Sequence, residues 1–177
     1  MRIVAGEFKG RRLKSPTWDG LRPTSDRLRE TLFNILGNAV NGARVLDGYA
    51  GTGAVGIEAL SRGAAEVTFV ERDRRAIALI EANLAGLTAC AAPGRDVIIR
   101  TGFGALDGPA FDVIFLDPPY APGAAEEALD AAAGLLAPGG RLVVEHAARH
   151  AAPAAHGSVR RLRTVKAGDS ALSFYGF

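Results

Sequence analysis

Residues 45–60 read VLDGYAGTGAVGIEAL. An apolar run ends on an acid, Asp47. Glycines follow at 51, 53 and 56 in a G-x-G-x-x-G spacing, and a helical pattern begins behind them. That layout is a strand, a tight loop and a helix whose N-terminus faces the loop. Glycines at those places permit the turn and let a ligand approach the main chain. The spacing alone is a weak signal, but its surroundings strengthen it. Glu71 ends the next apolar run, twenty residues after Gly51. A carboxylate at that point accepts hydrogen bonds from ribose hydroxyls. The segment therefore points to a nucleoside-containing cofactor rather than to a purely structural turn.

Asp47 selects among such cofactors. A dinucleotide would bring its pyrophosphate close to this anion, which is unfavourable. S-adenosylmethionine carries a sulfonium and an ammonium, both attracted to a carboxylate, and its own carboxylate can use the helix N-terminus. The plainer role for Asp47, a strand-end residue that caps the loop, is compatible with this one.

Outward from the loop, short apolar runs alternate with helical patterns. Strands are expected at 43–48, 66–71, 96–100, 111–117 and 141–146, with helices at 53–62, 73–86 and about 123–136. This alternation implies βαβ units and a mostly parallel sheet covered on both faces, a Rossmann-like α/β fold. Near-continuous apolar runs such as VIFL (113–116) suit strands buried on both sides. Residues 2–14 suggest a small hairpin outside the main sheet. In RPTSDRLRETLFNILG (22–37), Thr24, Ser25 or Asp26 can cap a helix with Leu28, Leu32, Phe33 and Leu36 as its apolar stripe, ended by Gly37. SVRRLRTV and SALSFYGF around KAGD read as two antiparallel strands joined by a tight turn. The Ala-rich segment 146–157 before them reads as a loop. No repeat and no second domain is visible: residues 1–20 form a basic extension and 21–177 the core of a single domain.

Phe111 to Tyr120, FDVIFLDPPY, carries the second chemical signal. In a parallel α/β sheet, ligands bind beyond the carboxyl ends of the strands, so Asp47, Glu71 and Asp117 converge on one rim. Pro118 and Pro119 offer no N–H donors and hold a rigid extended turn. What remains is an acceptor set, the Asp117 carboxylate and the Pro118 carbonyl, beside the flat ring of Tyr120. Such a set suits a planar molecule bearing an amino group. An amine conjugated to a heteroaromatic ring is a poor nucleophile. Two acceptors gripping its hydrogens favour a pyramidal nitrogen and aim its lone pair at a methyl group, while the ring stacks on the tyrosine. Asp117 either accepts the lost proton or only orients the amine. The plainer reading is a strand ended by a Pro-Pro turn.

Composition sets the remaining bounds. The 177 residues include one cysteine, Cys90, which cannot form an internal disulfide. No apolar stretch reaches the length of a membrane span, and no signal core opens the chain, so the expected location is cytoplasmic. Net charge is +2, but the first thirty residues carry eight Arg and Lys against four Asp and Glu, and residues 158–177 carry four against one. Basic ends flanking an acidic middle suggest a polyanionic partner. Arg11, Arg12 and Lys14 at one end, and Arg160, Arg161 and Arg163 at the other, are the clustered phosphate candidates. Arg22, Arg27 and Arg29 can bind phosphate, close over the cofactor, or be solvated surface charges. His146 and His150 have the i, i+4 spacing of a metal pair but lack a third ligand, so no metal is expected. Trp18 reads as a hydrophobic anchor for the N-terminal segment.

LDGYAGTGAVGIEALSRGA together with FLDPPY resembles the class I S-adenosylmethionine-dependent amino-methyltransferases. With RIVAGEFKGRRL, RPTSDRLRETLFNIL and the closing KAGDSALSFYGF, the resemblance narrows to the RsmD family and covers nearly the whole chain. These are bacterial enzymes that methylate the 2-amino group of a guanine in 16S ribosomal RNA. The resemblance implies a seven-stranded sheet whose last strand is antiparallel to its neighbours. It also implies that Asp47, the Gly51–Gly53 loop and Glu71 bind S-adenosylmethionine, with Asp117, Pro118, Pro119 and Tyr120 holding the guanine. Tyr49 and Arg72 belong to the same expected cofactor-binding set. The partner it implies is 16S ribosomal RNA in a small ribosomal subunit or its assembly intermediate, met by a monomer.

The chain departs from the family pattern twice. Gly48 and Tyr49 stand where a larger apolar residue and Phe are more usual, which raises the question of added flexibility at Gly48. Thr101, Gly102 and Phe103 stand where related enzymes offer the adenine amine a polar side chain. Thr101 or a main-chain carbonyl can substitute, with Phe103 against the adenine. Competing readings are an amino-methyltransferase acting on adenine or cytosine in DNA or RNA, and a non-catalytic RNA-binding assembly protein.

Overall fold

The computed structural model describes residues 1–18, 20–21, 24–88, 96–100, 102–103, 106 and 110–177. Arg22, Cys90 and Thr101 lie outside them. Strands β1 (Arg44–Gly48), β2 (Glu66–Val70), β3 (Asp96–Arg100), β4 (Phe111–Leu116), β5 (Leu136–Ala147), β6 (Ala155–His156), β7 (Val159–Ala167) and β8 (Ser170–Gly176) form one sheet. Its order is β3-β2-β1-β4-β5-β8-β7-β6. The first five strands pair in parallel, and β8 is antiparallel to both β5 and β7. The seven strands expected of the fold are therefore present, with the two-residue β6 added at one edge.

Period-two alternation divides the strands between two cores. Val45, Val67, Phe69, Val113, Phe115 and Val143 point to one face, where they join Leu28, Leu32, Phe33 and Leu36 of α1 (Asp26–Leu36). Helices α2 (Ala54–Ser61) and α3 (Arg74–Thr88) supply Ile57, Leu60 and Ile80 to the same face. Leu46, Ile114, Leu116, Leu142 and Val144 point the other way, against Ala128, Leu129 and Ala132 of α4 (Ala124–Ala132). Reversal of strand order between β1 and β4 leaves a crevice at their carboxyl ends, the position where open α/β sheets bind ligands.

Local signals are good guides to the helix ends. Ser25 caps α1, its side chain accepting from the Leu28 N–H at 3.2 Å, and Gly37 ends it. α4 stops earlier than expected. A short 3-10 turn covers Ala133–Leu135, and β5 begins at Leu136 rather than at Arg141. Pro138 cannot continue a helix, and the register against β4 shifts between Phe111 and Val113 to absorb the extra residues as a bulge. The segment expected to be a loop at 146–157 contains β6, which pairs with the start of β7. The C-terminal hairpin is as expected, closed by Gly168 and Asp169 between the paired Ala167 and Ser170.

The N-terminal segment closes through one bridge, Arg2 with Arg12, outside the main sheet. Ile3, Phe8 and Leu13 are nonetheless buried in the α1/α2/α3 core. The cause lies on α2, where the buried Glu58 carboxylate accepts from the Val4 and Ala5 N–H groups at 2.8 and 2.9 Å. Its other partner is Arg62, at 2.9 Å.

Candidate active site

A cavity of about 520 Å³ opens at the carboxyl ends of β1, β2 and β4. Asp47, Tyr49, Gly51, Glu71, Arg72 and all of Asp117 to Tyr120 line it. The glycine loop is built from main-chain contacts to two acids. Asp47, near the end of β1, accepts from the Gly56 N–H at 2.8 Å, which is the third residue of α2. Glu71 accepts from the Gly51 N–H at 2.8 Å and from the Arg72 and Asp73 N–H groups at 2.7 and 2.8 Å. Both acids therefore shape the loop, and the capping role expected of Asp47 is real.

Each glycine of the motif has a separate task. Gly51 lines the cavity, whereas Gly53 caps α2 with φ of 73° behind it, packed on Ile80 and Phe69. A Cβ on Gly56 would sit 2.3 Å from the Phe69 ring, so this glycine lets α2 press onto β2. Gly48 is not a flexible joint. A Cβ there would lie 2.5 Å from Leu116 and 3.0 Å from Phe103, so the position is closely packed. Tyr49, with φ of 62°, stores backbone strain of a kind common at ligand sites. Its ring meets Phe103 with centroids 5.7 Å apart, and neither Phe103 nor Gly102 lines the cavity.

Burial dominates the electrostatics of Asp47. Its side chain is 2% exposed, and its pKa is pushed up to about 8 by that burial and by the Glu71 charge, against the Gly56 hydrogen bond. An acid so desolvated gains from a cation placed beside it.

The Asp117 corner sits beside the loop because the Asp117 N–H donates to the Gly48 carbonyl at 3.2 Å, tying the end of β4 to the end of β1. Pro118 is buried and Pro119 exposed. Tyr120 is fixed by its hydroxyl, 2.5 Å from Glu145 Oε1 and 2.7 Å from Ser170 Oγ.

Comparison with known proteins fits this rim. The family model described as conserved hypothetical protein 95 matches residues 1–176. Over 133 residues the chain is 43% identical to ribosomal RNA small subunit methyltransferase D of Haemophilus influenzae, covering 73% of this chain and 68% of that one. The Escherichia coli K12 protein of the same name is 42% identical over 133 residues, covering 73% and 65%. The chain belongs to the RsmD family. The aligned stretch spans about two thirds of each of these relatives. A candidate methyltransferase from Escherichia coli has the same fold at a TM-score of 0.83, with 36% identity and coverage of 99% of this chain and 96% of that one. A hypothetical protein from Thermus thermophilus matches at 0.77, with 30% identity and coverage of 100% and 99%.

The RsmD-family cofactor is S-adenosylmethionine, and the residues present fit it. Asp47 is a buried acid lining the cavity, one that a bound cation would draw into its carboxylate form, and the cavity volume lies in the usual range for such ligands. One wall escaped the sequence reading. Gly20, Leu21, Thr24 and Ser25 from the segment leading into α1, and Leu28 from its first turn, line the cavity. Asn83, also missed, is 5% exposed and ties Lys14 to the glycine loop through the Lys14 and Thr52 carbonyls, each at 3.3 Å. Neither has a motif that would reveal it.

Several basic residues proposed for phosphate are otherwise engaged. Arg29 is 0% exposed and donates to the Arg2 carbonyl at 2.7 Å and to Asp26 at 2.5 Å, so it is an internal strut. Arg11 donates to the Gly86 carbonyl at 3.2 Å near the end of α3, while Arg12 and Lys14 are exposed. Arg161 donates to the Ala152 carbonyl. Arg160, Arg161 and Arg163 are not brought to the cavity. They lie toward the start of β7, and Arg160 pairs with Gly176 whereas the cavity-lining Ala167 pairs with Ser170. Seven residues of strand separate Arg160 from Ala167, on the order of 20 Å, and four separate Arg163 from it, about 13 Å. The exposed Lys166 is the basic residue of β7 next to the rim. His146 is bonded within the fold, to the Ala147 carbonyl and Ser173 Oγ at 3.1 and 2.9 Å. Trp18 stacks under the Arg75 guanidinium, 5.1 Å from its ring centre. Among the described residues no helix is long and apolar enough to cross a membrane.

Proposed function

We propose that this chain methylates the exocyclic 2-amino group of a guanine in small-subunit ribosomal RNA, with Asp117 and Tyr120 holding the base. The carrying observation is the Asp117 N–H to Gly48 carbonyl bond at 3.2 Å, which joins an acceptor corner to a cofactor loop on adjacent strands. Relatives named ribosomal RNA small subunit methyltransferase D support the choice of substrate.

When bound, S-adenosylmethionine supplies an electrophilic methyl group. Asp47 compensates positive charge beside the loop, and Glu71 offers its carboxylate at the ribose position while keeping Gly51 in place. The Asp117 carboxylate and Pro118 carbonyl accept the two amine hydrogens, which withdraws the nitrogen lone pair from the ring and directs it into the cavity. Tyr120 supplies the stacking face. Asp117 stands next to the nitrogen that must lose a proton, so it is also the nearest group to receive it. Displacement at carbon needs alignment and charge stabilisation more than a strong base. The exposed Arg12, Lys14 and Lys166 are the phosphate contacts that best fit a substrate reaching this rim.

The test is transfer of labelled methyl from S-adenosylmethionine to small subunits lacking the modification, run beside large subunits, DNA and free nucleosides. Incorporation confined to the small subunit is expected. Preferential labelling of DNA would overturn the substrate assignment, and no labelling of any acceptor would favour an assembly factor without catalysis.

A further inference from the structure

The Tyr120 hydroxyl is held from two strands at once. Glu145 lies near the end of β5 and is 4% exposed, while Ser170 opens β8 and is 6% exposed. The Tyr120 O–H donates to Glu145 Oε1 at 2.5 Å. Its single hydrogen is thereby committed, so the Ser170 hydroxyl, 2.7 Å away, donates to the phenol oxygen. The phenol pKa is raised by burial and by the bond to Glu145, which keeps the hydroxyl protonated as the donor. Pro118 and Pro119 fix the main chain leading to Tyr120, and the clamp fixes the far end of the ring. The same residues, Pro118 to Tyr120, also line a second cavity of about 280 Å³. Tyr120 thus borders two cavities, which leaves its ring fewer packing neighbours than a core residue has. A carboxylate is costly at a site so buried unless strongly hydrogen-bonded, and a sheet needing only stability would be better served by an apolar residue there.

We propose that Glu145 and Ser170 are positioning residues for methyl transfer, clamping the Tyr120 hydroxyl so that its ring stands as a fixed stacking wall for the target base. This rests on the reading of Tyr120 as the base-stacking residue. Locking the ring before substrate arrives removes its rotamer entropy from the binding step and sets the base plane relative to Asp117.

Tyr120→Phe deletes only the clamped oxygen. It is expected to lower kcat by about tenfold or more, since small misplacements of reactants are costly, with S-adenosylmethionine binding unchanged within about twofold. Glu145→Leu should match it. Glu145→Gln, which keeps an acceptor, should recover most of the rate, and Tyr120→Phe with Glu145→Leu should be no worse than either alone. A second readout is independent of activity. With 13Cζ-labelled tyrosine, the Tyr120 resonance, assigned by its loss in Tyr120→Phe, should titrate above free tyrosine and move down in Glu145→Leu. If Glu145→Leu does not fold, Tyr120→Phe alone decides. Wild-type kcat in Tyr120→Phe overturns the proposal, as do additive losses in the double variant. A wild-type enzyme that labels no base would break the functional reading instead, while the tyrosine titration would still report whether the clamp exists.

Discussion

The two halves of the rim are held in different ways. In the β1–β2 half, acids grip the main chain close by in sequence: Asp47 binds Gly56, nine residues on, and Glu71 binds Gly51, twenty residues back. In the β4–β5–β8 half, an aromatic side chain is held by side chains 25 and 50 residues away. The first half is a motif, held by contacts between residues near one another in sequence. The second is an assembly of the folded sheet, and under the proposed function it is where the target base is set. Cofactor binding and turnover should therefore separate cleanly under mutation.

The largest expected effect is at Asp117. Asp117→Ala should reduce turnover by about a hundredfold to a thousandfold by removing the acceptor from the reacting amine, with cofactor affinity by calorimetry largely intact. Loss of cofactor binding instead would move Asp117 into the other half. Glu71→Ala should do the opposite, weakening S-adenosylmethionine binding on the order of tenfold to a hundredfold as both loop anchor and ribose acceptor disappear. Gly56→Ala tests the loop's packing. Its Cβ would meet the Phe69 ring at 2.3 Å, and overpacking of that kind costs about 1–3 kcal/mol, read as a lower Tm.

The raised pKa of Asp47, about 8, gives a pH test of the cofactor half. A bound cation favours the carboxylate, so binding below that value must release a proton. Affinity should rise with pH by up to about tenfold per unit until pH 8 and then level off. The protein without cofactor should show the opposite trend. A raised acid contributes stability that is complete below its unfolded pKa and lost as pH rises toward 8, so Tm should fall across that window. A flat affinity profile would mean that Asp47 only caps α2. The smallest effect concerns the RNA. Arg12→Glu should lower the salt slope of subunit binding by about one for each phosphate left without its cation. Arg160→Glu, on β7 far from the rim, should leave that slope unchanged.

This contrast also explains what was legible in the sequence. The βαβ alternation, the two-faced core, an α1 cap among Thr24, Ser25 and Asp26, and the rim of Asp47, Glu71 and Asp117 all follow from local periodicity and short-range spacing, whereas the strand order and the choice of Ser25 come from the fold. The Tyr120 clamp does not, because a lone Glu145 on an apolar strand looks the same whether it faces water or a phenol across the sheet. Arginine was misleading for a related reason. Arg161 read as a phosphate contact and Arg29 as a phosphate contact, a cover over the cofactor or a surface charge, yet their long side chains reach main-chain carbonyls that only the fold brings near. Gly48 looked loose and proved tightly packed, since Leu116 and Phe103 come from other segments.

Nucleoside mass spectrometry of small-subunit RNA, after reaction with labelled S-adenosylmethionine and complete digestion, tests the assignment of the rim most directly. N2-methylguanosine as the labelled product is the expected result. N6-methyladenosine or N4-methylcytidine in its place would contradict it, since the clamp and acceptor corner would then be serving a different base.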